Sequence, residues 1–302
     1  MKAVFTSPLP HRNSAQVLGV QTSEALRVQG YNAQFVPFSS LQNTDADVVM
    51  FCKFFDEGLM QWCKSTGKKV VWFPDEALFG PHMRAALNSQ ALIDCIVSTC
   101  EKYTEKLRDC GFSHPAIEVI HHHHCNFKNQ TVPFREEVAK VAYVGEPTQM
   151  HHQDGVAKLC RELGVEFIVK REHAKDYEDF EDIDIALAFI DPKSNNHGLH
   201  AGETSWQDRL DYRSNCKIVN YAAFGIPAVV SRYASYAEVA KPYEDFCLFV
   251  DNPQQLEEGI TSLVKDTNLR RSFREAGLAM RDDYHILNLQ ARYREVFKAL
   301  VV

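Results

Sequence analysis

Two cationic side chains, Arg213 and Lys217, stand where the sequence predicts the start of a helix in the C-terminal third of the chain. Ser214 and Asn215 also lie at or just before this start. The first amides of a helix attract anions, and a cation in the first turn is unfavourable unless an anion is present. The sequence therefore predicts a site for a phosphate-bearing ligand here. A solvent-exposed lysine, and an ion pair from Arg213 to a nearby aspartate, are the structural alternatives.

The helix that would position these cations is defined by its apolar residues and by the turn that ends it. The apolar residues recur at helical spacing: Ile218, Val219, Ala222 and Ala223. Gly225 suits a helix C-cap with positive φ, and Pro227 prevents the helix from continuing. The run Ala228–Val230 then predicts a strand buried on both faces. Helix, turn and buried strand in this order are typical of a doubly wound α/β sheet.

Carboxylates and histidines come after two predicted strands in the first half of the chain. Asp75 and Glu76 come after a strand at residues 69–73, and His122 lies in a run of four histidines after a strand at residues 116–120. Such side chains could orient or deprotonate an acceptor hydroxyl; helix capping and hydrogen bonding within the loop are the alternatives. Successive side chains of a strand alternate faces, so four adjacent histidines cannot all bind one ion. His122 and His124, or His121 and His123, could share a site, but the spacing matches no standard metal site. We expect no metal.

Composition and charge limit the class of protein. The net charge is −7; residues 1–130 carry 12 basic and 12 acidic side chains, and residues 131–302 carry 21 and 28. The acidic second half argues against a nucleic-acid groove. No apolar run reaches the ~20 residues of a spanning helix, no signal peptide is recognised, and the nine cysteines form no CxxC pair. We expect a cytoplasmic protein with reduced thiols, whose Lys64, Lys68 and Lys69 form either a solvated helix end or a peripheral membrane contact.

Strands and helices alternate along the whole chain, which predicts two units with mostly parallel sheets. Strands are predicted at residues 3–6, 32–37, 47–51, 69–73, 92–98 and 116–120, and then at 140–144, 165–169, 183–189, 228–230 and 247–250. One helix is predicted from Ser14 to Val28, and a polar linker at residues 127–138. Ligands bind outside the carboxyl ends of such strands. The loop after the first strand holds His11 and Arg12, which could approach a phosphate or an acceptor.

A longer pattern, K-x-x-N-x4-G-x-P-x-V-V, resembles the C-terminal half of GT-B glycosyltransferases, most of all the family-4 retaining group. It is carried by Lys217, Asn220, Gly225 and Pro227, and the chain continues with Tyr236–Glu238, Leu248–Asp251 and Leu256–Arg271. The resemblance implies two Rossmann-like doubly wound domains with the ligand cleft between them. Residues 1–130 would be the acceptor-side domain and residues 131–285 the nucleotide-sugar-binding domain. Residues 286–302 would be a helix that crosses back to the first domain.

The resemblance also implies roles for single residues in the second domain. Lys217 matches the motif lysine, and Asn220 stands where much of the family has a glutamate that grips the ribose hydroxyls. Gly145 ends the first strand, but the basic residue usual after that glycine is absent. His151, His152 and cations at or beyond strand ends are the alternatives. The donor-binding candidates are Gly145, Lys170, Arg171, Lys193, Arg213, Lys217, Asn220 and Tyr221.

We therefore expect a glycosyltransferase of the hexosyltransferase type. It would move a sugar from a nucleotide-sugar donor to a glycan, lipid-linked or small-molecule acceptor. The resemblance implies retention of configuration, with cations and a helix N-terminus neutralising the leaving diphosphate in place of an obligatory metal or cofactor. His122, Asp75 and Glu76 are the catalytic candidates, with His11 and Arg12 on the acceptor side. Two other functions stay open: a non-catalytic GT-B-like module that binds a sugar nucleotide or glycan, and a nucleotide-sugar epimerase.

Overall fold

The computed structural model describes residues 1–11, 13–74, 81–145, 147, 150, 152–170, 179–190, 213–243 and 246–301. Contacts between Cα atoms divide these residues into two units. The first contains the chain up to His122, Arg213, Ser214 and the C-terminal segment from Ile286. The second contains the described residues from His123 to His285 other than Arg213 and Ser214. Within the described ranges, no helix is long and apolar enough to cross a lipid bilayer.

A six-stranded parallel sheet forms the centre of the first unit. Its strands are β1 (Lys2–Ser7), β2 (Asn32–Pro37), β3 (Val48–Cys52), β4 (Lys69–Phe73), β5 (Cys95–Ser98) and β6 (Ala116–Val119). Their spatial order is β2-β1-β3-β4-β5-β6. Alternate residues of β3 belong to different hydrophobic clusters, Val49 and Phe51 to one and Val48 and Met50 to the other. The sheet is therefore covered on both faces, as an apolar parallel sheet requires.

The helical segments of the first unit alternate with its strands. They are α1 (Asn13–Ala15), a π-helical segment (Gln16–Gln21), α2 (Thr22–Val28), a 3-10 helix (Phe38–Asn43), α3 (Glu57–Ser65), α4 (Pro81–Asn88), a second 3-10 helix (Gln90–Leu92) and α5 (Glu101–Asp109). Helix α3 begins where Asp56 Oδ1 accepts a hydrogen bond from Leu59 N (2.9 Å), the usual pairing of an N-cap aspartate.

The prediction of one regular helix from Ser14 to Val28 is wrong in its first half, where the π-helical segment stands. The reason lies at Gly19, which packs directly on the sheet. A Cβ built on Gly19 would lie 2.5 Å from Phe35 Cδ2 and 3.5 Å from Cys52 Sγ. The missing side chain allows this close approach, and the wider π turn occurs at the residue where the helix touches the strands.

The second unit has a five-stranded parallel sheet. Its strands are β7 (Lys140–Val144), β8 (Glu166–Lys170), β9 (Ile185–Ala188), β10 (Ala228–Ser231) and β11 (Cys247–Val250), in the spatial order β11-β10-β9-β7-β8. Its helices are α6 (Gln153–Leu163), α7 (Cys216–Phe224), α8 (Ala234–Ala240), α9 (Pro253–Lys265) and α10 (Thr267–Met280). Helix α7 ends at Gly225, whose φ of 70° is the positive value that its sequence predicts.

The last helix, α11 (Ile286–Val301), belongs to the first unit. Its Tyr293 and Phe297 pack edge-on against Phe5 of β1, with ring centroids 6.3 and 5.8 Å away. Arg294 lies over the ring of Tyr31, 4.2 Å from the centroid. The first and last segments of the chain therefore share one hydrophobic core.

The fold class predicted from the sequence is confirmed: both units are doubly wound parallel α/β structures. In each sheet the strand order reverses beside the first strand of the unit, β1 or β7. The carboxyl end of a strand at such a switch point is where ligands bind in open α/β sheets. The residues directly after β7 are therefore the position in the second unit where a ligand site is expected.

Candidate functional site

Lys217 reaches the carboxyl end of β7. It lies in the first turn of α7, and its Nζ donates a hydrogen bond to the carbonyl oxygen of Val144, the last residue of β7. The ammonium also lies over the ring of Tyr143, 4.7 Å from the centroid, which is within the range of a cation–π contact. The structure thus brings the predicted phosphate-binding lysine to the predicted phosphate-binding turn.

Gly145 makes this placement possible. A Cβ built on it would lie 3.0 Å from Tyr143 Oη and would collide with Lys217 Nζ. Its φ of +155° is also uncommon for a residue with a side chain. The backbone after β7 is therefore bare at the point where the ammonium sits, which is how phosphate-binding turns admit a ligand close to the main chain.

Tyr143 is a residue of this cluster that sequence reasoning missed. It is buried in β7, and its hydroxyl points to the Gly145 turn. The strand is apolar and buried on both faces, so its pattern does not say which side chains point where. The available signal was a phenol beside the alanine and valines of the strand, two residues before a glycine that follows it.

Lys170 lies in an ion-pair cluster of its own. Its Nζ donates to Asp182 Oδ1 (2.5 Å) and to Asp179 O (3.1 Å), and Lys140 Nζ donates to Asp182 Oδ2 (2.7 Å). Burial by itself would raise the pKa of Asp182, but the hydrogen bonds and charges of the two lysines outweigh it and lower the pKa to about 2. A donor phosphate would have to compete with this carboxylate, so the predicted role of Lys170 stays a prediction.

Asn220 holds a backbone segment in the second unit. It is buried, and its Oδ1 accepts a hydrogen bond from Cys125 N (2.7 Å). Nearby, Asn126 Nδ2 donates to Ala223 O (2.8 Å) and Val132 N donates to Phe224 O (3.0 Å). The segment from residue 125 to 132 therefore pairs with the carbonyls at the end of α7. A ribose hydroxyl would have to share Asn220 Oδ1 with Cys125 N. The predicted contact between Asn220 and the ribose stays a prediction.

Tyr221 is a core residue. Its ring packs edge-on against Phe180 (6.3 Å between centroids), and its hydroxyl donates to Leu187 O (3.0 Å) in β9. The side chain is buried. These contacts give it a packing role between α7 and the sheet, and its predicted contact with a donor stays a prediction.

The four consecutive histidines have different environments. His121 Nδ1 donates to Thr99 O (2.8 Å), and burial, which outweighs that hydrogen bond, lowers the pKa of His121. His122 is buried and lies against Phe73, with ring centroids 5.5 Å apart. Phe73 ends β4 and precedes Asp75 by two residues, so the imidazole of His122 lies at the carboxyl end of the strand that leads to the carboxylate candidates.

His124 is locked in a neutral state. Its Nε2 donates to Arg281 O (2.8 Å), and its Nδ1 accepts from Asn126 N (3.1 Å). Burial lowers the pKa of His124 to about 4, against the opposing effect of the bond to Arg281. The need for one donating and one accepting nitrogen fixes the tautomer. This histidine is a structural element of the second unit.

His152 also has a partner. Its Nε2 lies 2.6 Å from Glu257 Oε1, and its backbone has a φ of 61°, unusual for a residue other than glycine. Its ring lies against Gly155, where a Cβ would collide with it. If His152 replaced the missing basic residue, a phosphate would have to compete with Glu257 for its Nε2.

Some predicted residues fall outside the described part of the chain, namely Arg12, Asp75, Glu76, His151, Arg171 and Lys193. Arg213, which precedes α7 in the chain, is half-buried, and His11, which comes after β1, is exposed. In the described ranges, no group of three or more histidine, cysteine, aspartate and glutamate side chains could hold a metal ion. The expectation that no metal takes part stays a prediction.

A family model described as "Glycosyl transferases group 1" matches residues 216–280, the stretch from α7 to the end of α10. The match includes Lys217, Asn220 and Gly225. It covers the part of the chain on which the resemblance to GT-B glycosyltransferases rests, and it confirms that resemblance there. No curated protein matches the chain in sequence.

Solved structures of GT-B glycosyltransferases share the fold over nearly the whole chain. The Anabaena protein HepE in complex with UDP has a TM-score of 0.66 at 12% identity, covering 99% of this chain and 100% of that one. HepE with UDP and glucose has a TM-score of 0.68 at 11% identity, with the same coverage. Sucrose-phosphate synthase from Thermosynechococcus elongatus has a TM-score of 0.62 at 12% identity, again over 99% and 100%.

Proposed function

We propose that the chain is a nucleotide-sugar-dependent glycosyltransferase whose donor diphosphate binds beside Gly145 and Lys217. The observation that carries this proposal is the position of the Lys217 ammonium, in the first turn of α7 and against the bare backbone after β7. A cation, a helix N-terminus and a side-chain-free turn together suit a diphosphate. The match of residues 216–280 to a glycosyltransferase family model supports the same function.

A uridine nucleotide carrying a hexose is the donor we propose to test first. HepE, to which the chain is similar in fold, was solved with UDP, with UDP and glucose, and with UDP-glucose. The acceptor we propose is a glycan, a lipid-linked sugar or a small molecule, and we propose transfer with retention by the resemblance to the family-4 group.

In this proposal Lys217 changes partner when the donor binds. Its ammonium now donates to the neutral carbonyl of Val144. A phosphate oxygen is a charged acceptor and forms a hydrogen bond about twice as strong. As the bond to the anomeric carbon breaks, negative charge grows on the diphosphate, and the ammonium and the first amides of α7 stabilise it in place. With this charge compensation we propose neither a metal nor another cofactor.

On the acceptor side we propose His122 as the group that orients or deprotonates the attacking hydroxyl. Its imidazole lies on Phe73, at the end of the strand that precedes Asp75 and Glu76 in the chain. Those two carboxylates, with His11 and Arg12 after β1, complete the proposed acceptor side.

The first test is the melting temperature of the protein with UDP, GDP, ADP, CMP and their sugar conjugates. A ligand at ~100 times its dissociation constant adds about 2.7 kcal/mol of stability. We expect one nucleotide to raise the melting temperature of the wild type and of Lys158→Ala, a control on the exposed face of α6, but not of Lys217→Ala. Incubation of that sugar nucleotide with candidate acceptors then tests transfer. If no nucleotide shifts the wild type, the proposal fails.

A second function, a non-catalytic module that binds a sugar nucleotide or a glycan, is favoured by two specific contacts. Asn220 Oδ1 is engaged by Cys125 N, and Lys170 Nζ by Asp182. Both residues were expected to grip the donor. A protein that binds UDP through Lys217, and neither transfers nor hydrolyses the sugar with any acceptor, would be such a module.

For the location, we propose the cytoplasm, with peripheral membrane contact still to be tested. All nine cysteines are free thiols, and most are buried. Of the basic cluster, Lys64 pairs with Asp94 (2.7 Å) and Lys68 lies over the ring of Trp62, 5.3 Å from its centroid. Sedimentation with anionic vesicles, compared with neutral ones, measures whether this cluster binds a membrane.

A further inference from the structure

One polar atom beside the proposed donor site is buried with nothing to bond to among the described residues. Tyr143 is 1% exposed, and its hydroxyl has no hydrogen-bond partner there. Nearly all buried polar groups in folded proteins are paired, and a hydroxyl left unpaired destabilises the fold. Phenylalanine would fill the same space in β7 without that penalty, so the retained oxygen calls for a reason.

The position of the hydroxyl supplies one. Tyr143 Oη lies 3.0 Å from the point where a Cβ of Gly145 would stand, and Lys217 Nζ lies beside the same point. The ammonium of Lys217 also lies over the ring of Tyr143, 4.7 Å from the ring centroid. Two hydrogen-bond donors therefore converge on one bare stretch of backbone at the carboxyl end of β7.

The hydroxyl and the ammonium differ in what they now bind. Lys217 donates to Val144 O, whereas the proton of Tyr143 has no acceptor within the described ranges. An anion that draws the ammonium off the Val144 carbonyl would uncover the phenol beneath it. Two donors beside the same stretch of backbone suit an acceptor with several oxygens, and a diphosphate is such a group.

We propose that Tyr143 is a further donor-binding residue, whose hydroxyl donates a hydrogen bond to the diphosphate once Lys217 has turned to it. The inference rests on the proposed function, because it names a second contact for the same ligand. It also offers a substitute for the basic side chain that is missing from the turn after Gly145.

The test removes one oxygen and measures two quantities. Tyr143→Phe keeps the ring over which Lys217 lies. We expect its melting temperature to equal or exceed that of the wild type, because the variant loses a buried hydroxyl that has no partner among the described residues. We expect its affinity for UDP, measured by calorimetry, to fall about tenfold or more, as for a lost hydrogen bond to a charged group.

Thr6→Val is the matched control. Thr6 lies in β1 of the first unit, is fully buried, and its Oγ1 also has no hydrogen-bond partner in the described chain. The substitution removes this hydroxyl with little change of shape. It should match Tyr143→Phe in its effect on melting temperature and leave the affinity for UDP unchanged.

Inorganic pyrophosphate, titrated alongside UDP, separates the two proposals. If the wild type binds UDP and Tyr143→Phe binds it equally well, the role of Tyr143 is overturned and the proposed function stands. If Tyr143→Phe loses both melting temperature and affinity, the hydroxyl is structural and the inference also fails. Binding of pyrophosphate that depends on Tyr143, without binding of any nucleotide, would overturn the proposed function and with it the donor-binding role of Tyr143, and would leave only a contact to pyrophosphate. A wild type that binds neither overturns both.

Discussion

The two ends of helix α7 contact polar clusters of opposite kinds. The open cluster, at its first turn, comprises Tyr143, Gly145 and Lys217. The closed cluster, which contacts the helix from its middle to its last turn, comprises His124, Asn126 and Asn220. In the closed cluster both imidazole nitrogens of His124 are bonded, Asn126 makes bonds through its oxygen and its nitrogen, and Asn220 accepts from Cys125 N. In the open cluster a buried hydroxyl has no partner in the described chain, and a cation donates to a neutral carbonyl.

The difference separates two uses of polar groups inside one helix-and-sheet unit. A network whose hydrogen bonds are satisfied holds the backbone in one path. A ligand adds little to its stability, since its donors already have acceptors. A cluster with an unsatisfied polar group lowers the stability of the free protein. A ligand that supplies the missing partner raises that stability again. Stability should therefore respond to changes in the closed cluster, and affinity to changes in the open one.

The largest effect should come from acid acting on the closed cluster. Between pH 6.5 and about 4 the unfolded chain binds a proton at His124 that the folded chain does not, because burial lowers the folded pKa of His124 to about 4. The free energy of unfolding should therefore decrease by about 3 kcal/mol as the pH is lowered through this window. His121, whose pKa is also lowered, acts in the same direction.

Urea unfolding at several pH values measures this loss. In His124→Gln the group that titrates is gone, so the variant should start less stable and lose less on acidification. A wild-type free energy of unfolding that stays flat from pH 7 to 4.5 would contradict the closed, neutral state of His124.

The next effect concerns Asn220. Asn220→Leu removes the acceptor of Cys125 N and should lower the free energy of unfolding by about 2 kcal/mol, whereas Asn220→Asp keeps an acceptor and should lose less. The affinity of the folded protein for UDP should be the same in wild type and both variants. Calorimetry below the unfolding temperature checks this. A similar loss of affinity in both variants would assign the ribose contact to residue 220, and the closed cluster would then affect affinity as well as stability.

A smaller effect is expected at Gly145, in the open cluster. The methyl of Gly145→Ala would occupy the space of Lys217 Nζ and displace the ammonium from the end of β7. We expect about tenfold weaker binding of UDP, about 1.4 kcal/mol. Gly164→Ala is a suitable control, since Gly164 also has a positive φ (73°) but no atom within 4 Å of a built Cβ. Equal losses in the two variants would mean that backbone strain, and not the position of Lys217, sets the affinity.

The smallest effect should come from His152, which tests how far the open cluster extends. His152→Gly relieves an unfavourable positive φ and loses the contact with Glu257, and these opposing changes in the free energy of unfolding are each under about 1 kcal/mol. Its melting temperature and its affinity for UDP should both stay near those of the wild type. Asn129→Gly relieves the same kind of φ (52°) elsewhere in the second unit and serves as the reference; a selective loss of UDP binding in His152→Gly would place His152 in the site.

The fold was predictable because its signals are local. Alternating apolar strands and capped helices specify parallel α/β units, and the helix from Cys216 to Phe224 with its Gly225 cap is encoded by residues next to one another. The interruption at Gln16–Gln21 was not predictable, since it depends on Gly19 meeting Phe35, a neighbour that only the folded sheet provides.

The arrangement of the candidate site was predictable in part, and its function stays a prediction. The motif pointed to Lys217, and the end of a strand pointed to Gly145, and the structure brings these two together. The pairing of Lys170 with Asp182 and of Asn220 with Cys125 joins residues far apart in the chain, and composition or spacing does not reveal such partners. The orientation of Tyr143 was hidden for a different reason, because a strand buried on both faces has no amphipathic pattern to read.

The packing of α11 on β1 has a consequence for how the protein is made. A ribosome delivers Phe5 long before Tyr293 and Phe297, yet these three rings lie in one core. The segment around Phe5 must therefore wait, with part of its apolar surface uncovered, until the residues of α11 have also emerged. The intervening second unit can mature during that delay, which reverses the usual N-terminal-first order of domain folding.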